Sequence, residues 1–501
     1  MNRTTIHMGT PEGFPNPPAM VRRQQSWRAI VKMGTPEGFP NPPAMVRRQQ
    51  SWRAPHAMAL LLTTTLVPIA ARAETLTLDQ CVSIALKESP DTASADFEVD
   101  AAIAKKKEAF GGYSPKLKLD AGFQRWDSEF ATPLFGLVAQ ACPSCDQGML
   151  TTPFVLRPQW TWSAGVTLAQ PIGALWTIRE SNVLAKLGID VAEIKRKSAR
   201  RDVAYQVTEA YYRLLQAERL AEVAESSVEQ VAAQVKRAQT FFQQGVVARN
   251  DVLRAQLGLA AAQQRSIQAK GGVILARGRL ATLMGRAPDS DIDAAAVPES
   301  PIVEPIVAPS QAEQLAVSQR LEIREIAAHI DQAGAGVRMA KSQFVPQVNA
   351  VANYTRQSAS LVGLPKAWFV GATASWEIWS GGSTYYGIDE SKAQLRQAQE
   401  ALRKTQDLIR LDARSAHVGV TTAAEALDVA KHAVEQAEEN FRIEQKRYES
   451  TSNTSFDVLD AETQLTTARG QYQAAIYDVI IAKSNLARAM GEKHPSIKAA
   501  L

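Results

Sequence analysis

Arg447-Tyr448-Glu449-Ser450-Thr451-Ser452-Asn453-Thr454-Ser455-Phe456-Asp457-Val458-Leu459-Asp460-Ala461-Glu462 places a short polar break inside a long helical run. Ser, Thr and Asn fill the break, and Asp457 restarts the helix where its dipole favours negative charge. The stretch predicts a helix-turn-helix tip. The design occurs once before, at Phe242-Gln243-Gln244-Gly245-Val246-Val247-Ala248-Arg249-Asn250-Asp251-Val252-Leu253, so Asp251-Val252-Leu253 falls on Asp457-Val458-Leu459 at an offset of 457 − 251 = 206 residues. Trp162 and Trp368, Gly165 and Gly371, Ile172 and Ile378, and Met284-Gly285 and Met490-Gly491 share that offset. The chain therefore reads as an internal duplication whose unit is far too long for a solenoid repeat.

No proline occurs between Pro171 and Pro288 or between Pro365 and Pro495, and each of these runs contains one tip. The first helix of a run, from about Ala174 to Phe242, would span on the order of 100 Å at 1.5 Å per residue. Such a helix is too long for one globular core. Its apolar stripe is narrow and Ala-rich (Ala204, Val207, Ala210, Tyr211, Leu214), suited to close packing on neighbouring helices with water on the remaining faces. Aromatics are sparse, and a net charge of +5 spread over 501 residues gives no nucleic-acid signature; basic stretches such as Lys195-Arg196-Lys197 read as solvated helix faces.

Residues 8–29 recur unchanged at 33–54, a Pro-rich low-complexity duplication. Arg47, Arg48 and Arg53, an apolar run from Ala57 to Ala70, and Ala71-Arg72-Ala73 then follow in the order of a secretory signal peptide, which puts the expected mature start at Glu74. No later stretch is apolar for long enough to cross a membrane as a helix, so membrane insertion would require strands. Cys81, on the apolar face of a short helix, reads as core. Cys142 and Cys145 form a C-x-x-C within about 127–160, a stretch that has no counterpart in the second half. A disulfide, a metal site and free thiols all fit this pair, the exported context favouring the disulfide.

Between the helical runs the sequence alternates. Leu117, Leu119, Ala121 and Phe123 face one way and Lys118, Asp120 and Gln124 the other; Trp162, Ala164, Val166 and Leu168, then Val348, Ala350, Ala352 and Tyr354, then Trp368, Val370, Ala372, Ala374 and Trp376 repeat the design. Trp368 and Trp376 lie eight residues apart, which at ~3.3 Å per residue spans about the apolar band of an outer-membrane barrel. A soluble sandwich with apolar inner faces fits the same strands. Four strands cannot close a barrel, so the membrane reading demands several chains in one barrel.

In order, these features resemble the TolC-like outer-membrane efflux proteins: Leu76-Thr77-Leu78-Asp79-Gln80 with Pro90, the helix-to-strand switches at Pro115 and Pro346, Gln170-Pro171-Ile172, Trp379-Ser380-Gly381-Gly382, both tips, and the Leu283-Met284-Gly285 and Ala489-Met490-Gly491 ends. The resemblance covers essentially all of 74–492. It implies an α+β membrane protein in which three chains, four strands each, form one 12-stranded outer-membrane β-barrel continued by a long α-helical periplasmic barrel. The implied domains are a leader (1–73), a first repeat (74–286), an irregular connector (287–314), a second repeat (315–492) and a tail (493–501).

The function implied is a passive exit duct, gated at its periplasmic tips and located in the outer membrane. Its implied partners are outer-membrane lipid, a periplasmic membrane-fusion adaptor and an inner-membrane transporter of RND, ABC or MFS type, with no nucleic acid and no cofactor. Type I protein secretion and metal-ion efflux use the same scaffold; a periplasmic coiled-coil adaptor is the reading from another class. Asp457 and Asp460 match the aspartates that ring the family's entrance, though a plain helix-start role would also explain them. Tyr448, Asp251 and Asn250 match the gate's hydrogen-bonding positions. Asn453 stands where an arginine serves in the best-known member, which predicts a neutral bond instead of a charged latch. Trp162, Trp368, Trp376 and Tyr354 are the expected interface aromatics. No P-loop, G-x-G-x-x-G after a strand or G-x-S-x-G occurs, and His329, His417, His432 and His494 have no ligand-spaced partner, so the sequence carries neither an enzyme signature nor a metal site.

The signal-peptide reading is checked by mass spectrometry of the protein purified from outer membranes. We expect its N-terminus at Glu74, and one upstream of it would refute the reading.

Overall fold

The computed structural model describes residues 74–133, 153–295, 307–358 and 365–495; the leader, and Cys142 and Cys145, lie outside these. The first half comprises β1 (Glu74–Leu76), α1 (Leu78–Glu88), α2 (Pro90–Gly111), β2 (Lys116–Arg125), β3 (Phe130–Pro133), β4 (Pro153–Arg157), β5 (Trp160–Pro171), α3 (Leu175–Gln243) and α4 (Arg249–Leu283). β6 (Ile292–Ala294), α5 (Pro309–Gln319), α6 (Leu321–Lys341), β7 (Gln347–Gln357), β8 (Lys366–Ser375), α7 (Ser383–Glu449) and α8 (Ser455–Ala489) follow. Paired helices have nearly equal lengths: α1 and α5 have 11 residues each, α3 and α7 have 69 and 67, and α4 and α8 have 35 each. Before the β2–β5 loop the repeats are offset by 347 − 116 = 231 residues and after it by 455 − 249 = 206, so the first repeat carries 231 − 206 = 25 extra residues there.

The helix ends follow from local chemistry. Thr77 opens α1 with a capping box, its hydroxyl accepting from Gln80 N–H while the Gln80 side chain accepts from Thr77 N–H. Pro90 and Pro309 start α2 and α5, where a missing N–H costs nothing. Gly285 and Gly491 stop α4 and α8 in the left-handed region (φ 78° and 79°), with the next N–H reaching back to Ala281 O and Ala487 O. A Cβ on Gly285 would collide with Glu88 O, and one on Gly491 would crowd Arg320 N; each glycine lets a hairpin end abut the junction of the two short helices in its repeat.

The two cores match position for position. Cys81, Leu214, Leu280 and Met284 of the first cluster correspond through the two offsets to Ala312, Val420, Leu486 and Met490 of another. Cys81 is thus a fully buried core side chain at the site of a second-repeat alanine. Tyr211, also in the first cluster, donates its hydroxyl to Ala295 O at 2.7 Å, tying α3 to the parallel β1–β6 pair, and burial pushes its pKa up to about 12.

β2, β5, β7 and β8 form one antiparallel sheet in that order, leaving β2 and β8 as edges. The loop between β2 and β5, which has no counterpart in the second half, holds a separate antiparallel pair, β3 with β4; Val155 supplies a β-branched residue there. The 287–314 connector is likewise less irregular than expected. β6 lies within it, and α5 begins at Pro309 because proline at the first helical position starts a helix instead of breaking one. The tail is anchored at its start: buried His494 meets Thr208 Oγ1 at 2.8 Å and packs edge-on to Tyr205. β8 ends at Ser375, so Trp376 stands just past the strand.

An ion cluster joins α3, α6 and α7. Glu322 accepts from Arg201 at 3.0 Å and from Arg320 at 2.8 Å, and Arg320 reaches Asp412 of α7. Burial works to raise the Glu322 pKa, but the hydrogen bonds from Arg320, helped by Arg201, outweigh it and hold the pKa at about 2 against an ordinary 4.5. A depressed carboxylate pKa contributes stability that is fully present above 4.5 and is lost as pH falls toward 2. We expect Glu322→Gln to destabilise the helical region by about 2 kcal/mol at pH 7, because Arg201 keeps a buried charge with less compensation. The deficit should shrink by pH 3, as read from thermal unfolding followed by circular dichroism.

Candidate functional site at the hairpin tips

Both long helices end in a turn containing a left-handed residue: Gly245 (φ 74°) at the first tip and Thr451 (φ 59°) at the second, one repeat apart (451 − 245 = 206). Thr451 is the only non-glycine with positive φ among the described residues. A branched Cβ there crowds the following carbonyl at a cost of about 1–2 kcal/mol. The turn is held by Thr451 N–H to Tyr448 O at 3.0 Å and Ser452 N–H to Arg447 O at 2.8 Å. Sequence reading passed over Thr451, although the repeat offset sets it on a glycine.

Thr454 opens α8 with a capping box: its N–H and hydroxyl donate to Asp457 Oδ2 at 2.9 and 2.8 Å. These bonds from Thr454, backbone first, hold the Asp457 carboxyl below the usual carboxylate range, so it keeps its charge in mild acid. Asp460, one turn on and exposed, accepts from Gln464 Nε2 at 2.7 Å. Asp457 thus has the helix-start role that the plain reading assigns, while Asp460 has no part in the cap.

The two tips of one protomer are tied by buried Ser455, whose hydroxyl donates to Asp251 O at 3.1 Å. Tyr448 is buried against Phe241 (ring centroids 5.5 Å apart), and burial, then the Asp251 charge, raises its pKa, so it remains a neutral phenol. Its Oη has no hydrogen-bond partner among the described residues. Asn250, next to Asp251 in the sequence, is exposed. Asn453 turns inward: its Nδ2 donates to Glu444 O at 3.0 Å and to Glu444 Oε2 at 2.6 Å, bracing its own hairpin. Its partner is therefore a carboxylate, which makes the bond charge-assisted, and Glu444 is the tip residue that sequence reading missed.

At the other end of the molecule, register collects the apolar residues on one face of the sheet. Phe123 pairs with Trp162, Leu119 with Val166, Val166 with Tyr354, and Tyr354 with Trp368. Trp160, not singled out from the sequence, stacks on Phe123 at 5.3 Å. Trp376 lies toward the helices and donates Nε1–H to Phe344 O at 3.1 Å. Thr167 and Asn353 bond across the opposite, polar face at 2.9 Å. Among the described residues no helix is long and apolar enough to cross a membrane, and no cluster of His, Cys, Asp or Glu could hold a metal ion.

The family model for outer membrane efflux proteins matches residues 81–286 and 313–492, both repeats. The chain belongs to the outer membrane efflux protein family. Outer membrane efflux protein BepC of Brucella suis is 23% identical over 341 residues, covering 66% of this chain and 72% of that protein. The fold is that of the solved family channels. The outer membrane channel CmeC of Campylobacter jejuni superposes with a TM-score of 0.68 at 18% identity, covering 84% of this chain and 88% of that one. VceC of Vibrio cholerae gives 0.64 at 19% identity, covering 83% and 96%. This family member is accordingly an outer-membrane efflux channel protein, and its relatives are channels, not enzymes.

The strained turn gives a local test. Thr451→Gly removes the Cβ crowding but adds glycine's unfolded-state entropy, for a net stabilisation of about 0.5–1 kcal/mol. Amide hydrogen exchange over residues 448–458 should slow in that variant and quicken in Gly245→Thr over the first tip. Unchanged exchange in both would show that the turns carry no strain.

Proposed function

We propose that three copies assemble into one 12-stranded outer-membrane barrel continued by a helical duct, which passively exports substrates delivered by an inner-membrane transporter through a periplasmic adaptor. One observation carries this: β2 and β8 are ten-residue edges, exposed along their whole length, and among the described residues no strand pairs with their outer sides. In hydrocarbon every backbone N–H and C=O must be paired, and a four-stranded sheet cannot curl far enough to pair its own edges. Joining β8 of each copy to β2 of the next closes the sheet. The apolar face with Phe123, Trp162, Tyr354 and Trp368 then meets lipid, with Trp376 at the inner boundary. Helices α3 and α7, each about 100 Å long, continue the wall inward.

The tips form the gate in this reading. Three copies place six carboxylates, Asp457 and Asp460, around one narrow axis, where an acidic ring favours cations. The Tyr448 hydroxyl, unpaired among the described residues, is the group free to bond toward Asp251 or Asn250 when the entrance tightens. Asn453 is committed to Glu444 of its own hairpin and supplies no charged latch between tips, so the closed state rests on bonds such as Tyr448 to the Asp251 carboxylate, each worth about 1.5–3 kcal/mol.

Two measurements test the proposal. Outer-membrane vesicles should yield a heat-modifiable, SDS-resistant trimer, and a soluble periplasmic monomer would overturn the barrel. In planar bilayers, Asp457→Asn with Asp460→Asn, which removes charge while leaving an acceptor for the helix cap, should lower cation preference and relieve block by multivalent cations. Tyr448→Phe should raise conductance. Unaltered selectivity in the double variant would place the charge filter elsewhere.

A further inference from the structure

The apolar face of the sheet ends, on its loop side, in cations. Arg356 lies directly opposite Lys366, two pairs beyond the Tyr354–Trp368 pair and so on the same face. Arg125 lies opposite Trp160 on that face, two residues beyond Phe123, and its guanidinium stands 4.9 Å from the Trp160 ring centre. All three are exposed, and among the described residues none forms an ion pair. Lys118, by contrast, sits on the polar face and is paired with Asp120 at 2.6 Å. Like charges directly opposite one another on neighbouring strands are destabilising. Among the described residues no carboxylate neutralises this pair.

The positions of the three cations reach across the subunit boundary of the proposed barrel. Within one protomer Arg125 is on one edge strand and Lys366 on the other. Closing the sheet sets β8 beside β2 of the next copy, so Arg356, Lys366 and the neighbour's Arg125 occupy three consecutive strands at the loop end. This ring stands just beyond the aromatic belt, at the depth of lipid headgroups, and outside the duct. An arginine fork and an ammonium beside it match the oxygens of a phosphate monoester.

We propose that these residues form, at each subunit boundary, a clamp for the phosphate-bearing headgroup of an outward-leaflet glycolipid; the clamp rests on the trimeric barrel reading. The lipid supplies the missing counter-charge and bridges two protomers, its acyl chains lying on Phe123, Tyr354 and Trp368. The partner is a lipid and not free phosphate because the cations continue an apolar, aromatic surface instead of lining a polar cavity.

The test uses the full-length protein in phosphatidylcholine nanodiscs containing a bis-phosphorylated lipid A or its dephosphorylated form. Trimer formation is scored on gels, and retained lipid is counted by native mass spectrometry. Wild type should retain the phosphorylated form, and Arg125→Gln/Arg356→Gln/Lys366→Gln should retain about tenfold less. Lys118→Gln, on the polar face, should match wild type. If the triple variant fails to assemble, Arg356→Gln and Lys366→Gln singly should each reduce retention. Equal retention of both lipids, or of the phosphorylated lipid by wild type and variants alike, overturns the clamp while leaving the trimer standing. Displacement by millimolar inorganic phosphate would identify a phosphate site without lipid preference and also overturn it. A wild type that forms no trimer overturns the barrel and the clamp together.

Discussion

Among the described residues no strand pairs with the outer backbone edges of β2 and β8, and much of the molecule is intelligible as a response to that fact. Water can satisfy open edges, but hydrocarbon cannot. In the proposed barrel, the four-stranded sheet of one protomer therefore finds its remaining strands in other copies. Narrow Ala-rich stripes on α3 and α7 fit the same requirement, since a helix pair that buried a broad apolar face within its own protomer would have little reason to pack beside another copy. Sheet and helices thus make one demand from two directions.

Duplication supplies the geometry twice, but the chemistry differs between the copies. Cys81 and Ala312 fill equivalent core positions, so a sulfur is tolerated where a methyl suffices and its burial removes it from redox exchange. Gly285 and Gly491 remain glycine in both copies because backbone or close side-chain atoms occupy the space a Cβ would need. Arg320 sits where the first repeat has Ser89, at the start of the second short helix, and there it anchors Glu322 and Asp412. The second repeat thus ties its helix junction to α7 by charge, where the first uses a small buried serine.

Repeat, strand faces and both tips were legible in the sequence because each depends on local periodicity or on turn residues. Alternation from Leu117 to Phe123 and from Trp368 to Ser375 is a property of single strands, and the register then brought Phe123 to Trp162 and Tyr354 to Trp368. What was not legible depended on partners distant in sequence or on backbone angle. Trp160 joins the aromatic cluster only because Phe123 lies diagonal to it across the β2–β5 ladder. The inward turn of Asn453 depends on Glu444 one hairpin arm away, and the parallel pairing of Glu74–Leu76 with Ile292–Ala294 spans most of the first repeat. Pro309 misled for the opposite reason: proline ends helices from within but begins them at the first position, and one residue type signals both.

At the second tip, structure and charge cannot be separated cleanly. Asp457 closes the capping box with Thr454, so the bonds that start α8 also keep its carboxyl ionised. Asp460 has no such tie: its partner Gln464 belongs to the same helix face and would hold a neutral acceptor equally well. If like charges gather at the proposed entrance, removing the Asp460 charge relieves the repulsion without touching the helix start, whereas neutralising Asp457 also weakens its charge-assisted bonds from Thr454.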